Sequence, residues 1–212
     1  MRLGITQRVE VVAAYGERRD CLDQQWQVLF EQLGHQLVPV PNRLKAAQAW
    51  AEELALEGLV LTGGNDLADL PGAANPAPER DRTESGLLAW AEDRRCPVLG
   101  VCRGLQMINV WHGGVLTRVD GHVACRHPLE VCVGNVPGLA DGMEVNSFHG
   151  WGVPEDGLGE SLEVLARAGD GSIEALRHCM LPWLGMMWHP ERESPFSSHD
   201  LELLAGLFGD NE

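Results

Sequence analysis

Residues 98–110 read VLGVCRGLQMINV, and the division of that stretch decides the fold. Val98 to Val101 is a short apolar run of the kind found in a strand buried on both faces. Arg103 to His112 then continues as a helical segment, which leaves Cys102 at the junction, within Gly100-Val101-Cys102-Arg103-Gly104. Small neighbours permit the sharp strand-to-helix turn that lifts a nucleophile above the edge of a sheet. A helix start favours a thiolate, and the amide after the nucleophile can face an oxyanion. The competing reading is a packing thiol in the core. The glycine spacing at a strand–helix junction favours the nucleophile.

The same alternation extends outward. RLGITQR (residues 2–8) reads as an opening strand, and Asp20 to Leu33 as a helix with Leu22, Trp26, Leu29 and Leu33 on one face and Gly34 as its stop. HQLVPVP returns as a strand, Arg43 to Leu56 is an alanine-rich helix, and GLVLTGGNDL is a buried strand entering a glycine turn. Ala68 to Arg82 reads as a surface loop and Thr83 to Arg94 as a helix. Beyond residue 113, GVLTRV, LEVCV, MEVNSF, LEVLARA, SIEALRH and LGMMW read as strands, and His199 to Phe208 as a closing helix. Strands alternating with helices predict an α/β protein with a mostly parallel sheet covered on both faces, antiparallel strands being added in the second half. Residues 1–212 are read as one domain, since the strand-rich half can extend the same sheet.

Bulk properties narrow the partners. The net charge is −15, with Lys45 the only lysine, so the surface repels phosphate backbones and nucleic-acid binding is not expected. No apolar run approaches membrane-spanning length and the first residues do not form a signal-peptide core, so a cytoplasmic protein without a membrane partner is expected. Six cysteines in that setting read as reduced thiols rather than a disulfide frame.

A thiolate nucleophile needs a base, and the base an orienter. GMMWHPERESP supplies His189 after an apolar strand-like run, with Pro190 directing Glu191 back toward the imidazole. GVCRGLQMINVWHGG together with MMWHPE resembles the class I glutamine amidotransferases, and the resemblance runs from GITQR to the final helix. It implies a three-layer α/β sandwich and a Cys-His-Glu triad that cleaves a γ-glutamyl C–N bond through a thioester. Cys102 would then be the nucleophile, His189 the general base and acid, and Glu191 the orienter. Backbone N–H groups of Gly64 and Arg103 would form the oxyanion hole. Asn65, Gln106 and the loop Phe148, His149, Gly150 and Trp151 would hold the glutamyl group. The C-R-G-x-Q form is similar to the hydrolase branch, which includes γ-glutamyl-GABA hydrolases. GITQRV, YGERRDCLDQQW and GGNDL look similar to capsule-biosynthesis members that hydrolyse γ-glutamyl-CDP-amidate to glutamate and cytidine diphosphoramidate. That reading implies a small-molecule, nucleotide-linked γ-glutamyl substrate, with no synthetase partner required. Two rivals are a glutaminase subunit feeding ammonia to a separate synthetase and a non-enzymatic cysteine sensor or chaperone.

Two further features carry weaker readings. Arg18 and Arg19, read at the start of a helix, are an unfavourably placed basic pair in an acidic protein and so a candidate phosphate clamp. His122, Cys125, His127 and Cys132 lie within eleven residues but lack the turn-forming pairs of a structural zinc site, so neither metal nor cofactor is expected.

Overall fold

Leu3, Ile5, Leu59, Val60, Leu61, Val98, Leu99 and Val101 are all fully buried, as strands covered on both faces require. The computed structural model describes residues 1–209. The first half of the chain comprises β1 (Arg2–Thr6), β2 (Arg8–Val12), β3 (Glu17–Cys21), α1 (Gln25–Gln32), β4 (Gln36–Val40), α2 (Ala47–Glu53), β5 (Gly58–Leu61), α3 (Pro78–Arg94), β6 (Val98–Val101) and α4 (Arg103–Trp111). The second comprises β7 (Thr117–Arg118), β8 (Val123–Pro128), β9 (Glu130–Val131), β10 (Glu144–Phe148), β11 (Trp151–Gly152), β12 (Leu162–Arg167), β13 (Ile173–His178), β14 (Trp183–Met186) and α5 (Ser198–Phe208).

One eight-stranded sheet in the order β4-β1-β5-β6-β14-β13-β12-β9 carries both halves. β4, β1, β5, β6 and β14 run parallel, and β13, β12 and β9 extend the sheet antiparallel. Side chains alternate between two apolar layers, as a two-residue period dictates. Leu3, Ile5, Val60 and Leu99 pack toward Trp26, Leu29 and Phe30 of α1 and Leu203, Leu204 and Phe208 of α5. Leu59, Leu61 and Val98 pack on the other face against α2, α3 and α4, through Ala51, Leu87 and Ile108. The middle layer is thus the sheet, and the carboxyl ends of β5, β6 and β14 meet on one edge.

Three local expectations change. Residues 17–21, expected within or just before the first helix, form β3, paired antiparallel with β2 around a turn at Gly16, whose φ is +73°. The leucine–tryptophan periodicity survives only from Gln25, whose N–H donates to Asp23 Oδ1 at 2.9 Å. Chain entry into the helix is set by that Asx turn, a signal the apolar spacing does not contain. The surface loop expected to reach Arg82 ends earlier, because α3 starts at Pro78. Proline at the first helical position, with Glu79 and Asp81 in the first turn, suits a helix start. Finally, MEVNSF, expected among the strands that extend the main sheet, forms β10, which pairs with β8 in a separate two-stranded sheet.

Candidate active site

Cys102 occupies the junction between β6 and α4 with φ 53° and ψ −104°, a conformation that a residue with a Cβ holds only when its surroundings force it. Two glycines let the surroundings do so. A Cβ on Gly104 would lie 2.1 Å from Leu61 O, and one on Gly100 would lie 2.6 Å from the Gly104 carbonyl carbon. The elbow is therefore clamped onto β5 and β6, and Cys102 N donates to Met186 O of β14 at 2.7 Å. The strain that presents the thiol is held by backbone packing.

His189 follows β14, and its position is fixed at the backbone. Its N–H donates to Asn146 Oδ1 at 2.9 Å, and Asn146 Nδ2 donates to His189 O at 2.9 Å. Its Nδ1 lies 2.7 Å from Glu191 Oε1, with both side chains almost wholly buried. Burial alone would lower the imidazole pKa, but hydrogen bonding and charge from Cys102 and Glu191 outweigh it and lift the value to about 9. Gly63 touches both partners: a Cβ there would stand 2.6 Å from His189 Cε1 and 3.5 Å from Cys102 Cβ. The structure thus brings Cys102, His189 and Glu191 together at the carboxyl edge of the sheet, where open α/β folds place their sites.

The loop after β5 passes beside them. Gly64, with φ +84°, and Arg103, the first residue of α4, share a cavity wall with Cys102. Amides at a helix start have no intrahelical acceptor, so that of Arg103 is available to an anion. The Arg103 side chain turns away from the cleft and binds Glu84 and Asp81 of α3. Beside it, Arg80 binds Glu84 at 2.9 Å and donates to the carbonyls of Thr62 at 2.6 Å, Gly63 at 3.0 Å and Gly64 at 3.2 Å. A buried ion cluster therefore holds the Thr62–Gly64 backbone from behind. Burial, then repulsion by Arg103, pulls the Arg80 pKa down to about 10, which leaves it charged at neutral pH.

Other expected site residues divide into those facing the cleft and those that support it. Gln106 Nε2 donates to Trp151 O at 2.8 Å and joins Phe148, Gly150 and Trp151 along a cavity of about 170 Å³ that also contains Cys102. Phe148 packs edge-on against His189, and Arg118 stacks on the Trp151 ring at 4.0 Å. His149 also lines this cavity, and its Nε2 lies 3.4 Å from Glu174 Oε1. The Asn65 side chain is committed to Val9 N, Val9 O and Asn75 O at 2.8, 3.0 and 3.1 Å, and so ties the loop to β2.

The basic pair falls elsewhere. Arg18 and Arg19 are successive residues of a strand and so point to opposite faces. Arg18 binds Glu79 at 2.6 Å, and Arg19 binds Tyr15 Oη at 2.9 Å. A second cavity at the triad, of about 200 Å³, is lined instead by Arg8 and Arg192 together with Asp23, Trp26, Gly63, His189 and Glu191. Arg8 sits in GITQRV, just past the end of β1, so its place at the carboxyl edge of the sheet was a usable sequence signal. Asn146, Gly63 and Arg80 had none, because their roles depend on partners 43, 126 and 17 positions away. Of His122, Cys125, His127 and Cys132, the four weighed and not expected to hold a metal, the cysteines stand apart, Cys125 Sγ donating to Gly121 O and Cys132 being exposed, whereas the His122 and His127 rings lie 5.0 Å apart.

The model of the family Peptidase C26 matches residues 3–191. The chain is 32% identical over 196 residues to a γ-glutamyl-CDP-amidate hydrolase of Campylobacter jejuni, covering 92% of each chain. It is 33% identical over 140 residues to a γ-glutamyl-γ-aminobutyrate hydrolase of Escherichia coli O157:H7, covering 55% of this chain and 54% of that one. A glutamine amidotransferase structure from Thermotoga maritima superposes with a TM-score of 0.68 at 16% identity, covering 95% of this chain and 80% of that one, which shows the fold.

Proposed function

The chain belongs to the Peptidase C26 family, and from that premise we propose that it is a cysteine-dependent hydrolase of a γ-glutamyl amide bond, with γ-glutamyl-CDP-amidate as its substrate. The observation that carries the reading is the buried imidazole of His189, held 2.7 Å from Glu191 and raised to about 9 beside Cys102. Such an imidazole keeps its proton at neutral pH, which suits a thiolate neighbour that attacks and a leaving nitrogen that must be protonated.

The steps follow from the groups present. Cys102 Sγ attacks the γ-carbonyl carbon, forming a C–S bond while the carbonyl electrons move to oxygen. The amides of Gly64 and Arg103 receive that oxyanion. As the carbonyl re-forms, the C–N bond breaks and His189 gives its proton to the departing nitrogen, leaving a glutamyl thioester. Water then attacks the thioester and yields its proton to His189; the C–S bond breaks and glutamate departs. With a CDP-amidate leaving group the nitrogen product is cytidine diphosphoramidate.

Two cavities suit two dissimilar substrate ends. The one lined by Gln106 and Phe148 to Trp151 takes the glutamyl group, and the one lined by Arg8 and Arg192 takes the phosphate-bearing end. The 32% identity to a γ-glutamyl-CDP-amidate hydrolase supports the same leaving group. The similarity to a γ-glutamyl-γ-aminobutyrate hydrolase favours a second reading, in which the amine is small and unphosphorylated.

Glutamate release from γ-glutamyl-CDP-amidate, γ-glutamyl-GABA, a γ-glutamyl anilide and glutamine separates these. The highest kcat/KM is expected for the nucleotide substrate. Preference for γ-glutamyl-GABA would remove the nucleotide and keep the hydrolase. Glutamine turnover only in the presence of an added synthetase would replace the reading with an ammonia-supplying subunit.

A further inference from the structure

Behind the Phe148–Trp151 loop, three imidazoles surround one buried carboxylate. Glu174 on β13 is fully buried, and His122 Nδ1 and His149 Nε2 each lie 3.4 Å from its Oε1. His127 Nε2 lies 3.8 Å from its Oε2. The ligand atoms of His122, His127 and Glu174 all fall within 4.8 Å of one another.

The outward nitrogens fix the tautomers. His122 Nε2 faces Asp170 Oδ2 at 3.0 Å, His149 Nδ1 faces Trp151 O at 3.0 Å, and His127 Nδ1 faces Pro128 O at 3.3 Å. Carboxylates and carbonyls only accept, so each outward nitrogen carries the hydrogen, and each inward nitrogen of a neutral ring presents a lone pair. Three lone pairs and two carboxylate oxygens therefore converge, and the hydroxyl beside them, Ser147 Oγ at 3.5 Å from His122 Nδ1, donates instead to His122 O at 2.8 Å. His127 Nε2, His149 Nε2 and both Glu174 oxygens have no hydrogen-bond partner among the described residues. Such a buried set of acceptors is unfavourable without positive charge at its centre, supplied by a cation or by a proton on a ring.

A proton on one ring would serve one contact and leave the others unpaired. The spacing also argues against it, since 3.4–3.8 Å exceeds the N–H···O range of about 2.7–3.2 Å. The two 3.4 Å contacts do match the edge of a tetrahedron whose centre lies about 2.0–2.1 Å from each ligand, which is roughly 3.3–3.4 Å, and the His127 contact is longer. Asp170 completes the pattern: it orients His122 from outside, and is itself held by Ser172 N at 3.0 Å and Ser172 Oγ at 2.6 Å.

We propose that His122, His127 and Glu174, whose ligand atoms converge, bind a divalent transition metal of the zinc class, and that His149, 3.4 Å from Glu174, joins them and so anchors the Phe148–Trp151 loop. Glu174 was outside the sequence stretch weighed for a metal, 42 residues beyond Cys132. The site goes beyond the hydrolytic reaction, and the triad reading stands or falls independently of it.

The test uses the full chain, stripped with a chelator and titrated with Zn²⁺ or Co²⁺ alone. One ion is expected per chain, with a rise in thermal midpoint, and cobalt is expected to give d–d bands without a thiolate charge-transfer band. Asp170→Asn should weaken zinc binding about 10–100-fold, and His127→Asn, which removes a ligand, should weaken it further. A Cys125→Ser, Cys132→Ser variant should bind as the wild type does. Absence of zinc binding by the stripped wild type would overturn the site. So would equal binding by both Asp170→Asn and His127→Asn, or a cobalt–thiolate band. Both substitutions fall at partly exposed positions on separate segments, so the outcome does not depend on the folding of either variant alone.

Discussion

Glu191 reaches His189 through a single hydrogen bond, so its removal weakens the base without abolishing it. Glu191→Gln is expected to lower kcat by less than His189→Ala does, because only the histidine exchanges protons; equal losses in steady-state kinetics would mean that the two roles are misassigned. The same imidazole, raised against burial first by Cys102 and then by Glu191, fixes a pH dependence. An imidazole held at about 9 in the fold against 6.5 when unperturbed stabilises the fold fully below about pH 6.5, and that contribution disappears as pH rises through about 9. The stability gap between wild type and Glu191→Gln, measured by urea unfolding, should therefore be widest below about pH 6.5 and close toward pH 9. For the phosphate-bearing end, Arg8→Ala is expected to lower kcat/KM for the nucleotide substrate roughly tenfold or more while sparing glutamine turnover. Arg18→Ala, which breaks a bond to Glu79, should leave both unchanged. An effect of Arg18 on the nucleotide substrate alone would return the clamp to β3. These residue roles divide by legibility. Cys102 and His189 could be named from flanking residues because a strained elbow and a strand-end histidine are local features. Asn146 acts on His189 from 43 positions away, and no local pattern encodes it.

At the scale of elements, the catalytic edge depends on α3 as much as on the strands that end there. Arg80 and Arg103 share Glu84 in a nearly water-free cluster, and Arg80 alone fixes three successive carbonyls of the oxyanion loop. Removing one partner of a buried ion pair typically costs about 3–5 kcal/mol, because the remaining charge stays desolvated. Arg80→Met is expected to fall in that range by urea denaturation and to depress kcat in the protein that remains folded. A loss below about 1 kcal/mol, the scale of an exposed ion pair, would show that the cluster is not structural. Apolar periodicity identified α4, β6 and β14 but not β3. Its Glu-Arg-Arg-Asp residues are exposed on both faces of a two-stranded hairpin, so no buried side imposes a pattern.

The whole molecule closes through α5, which covers the face of the sheet opposite α2, α3 and α4. Phe208 packs edge-on against Phe30, and Trp188, next to His189, donates its indole N–H to Asp200 Oδ1 at 2.8 Å. Burial raises the Asp200 pKa to about 6 despite the help of that bond. A carboxyl raised above its unfolded value of 3.8 gains the fold stability as pH falls through about 6, and leaves it penalised at neutral pH. Asp200→Asn keeps the acceptor for Trp188 and removes the buried charge. It is therefore expected to raise stability at pH 7 by on the order of 1–3 kcal/mol and to make little difference near pH 4. A lower thermal midpoint at pH 7 would show that the ionised carboxylate is needed.

The sequence by itself determined the features that rest on neighbouring residues: strand against helix through the period of the apolar positions, the elbow through its glycines, and the acidic surface through composition. It also determined the family, because the elbow and the His-Pro-Glu stretch are each an unbroken run of residues. Tertiary structure alone decided which arginines face the cleft, since charge pairing such as Arg18 with Glu79 joins residues 61 positions apart. It alone gathered Glu174 with three histidines from two other segments, and turned the Arg103 side chain inward. The physical reason is the same in each case. Main-chain conformation responds to the nearest few side chains, whereas burial, desolvation and ion pairing depend on whatever the folded chain brings within a few ångströms.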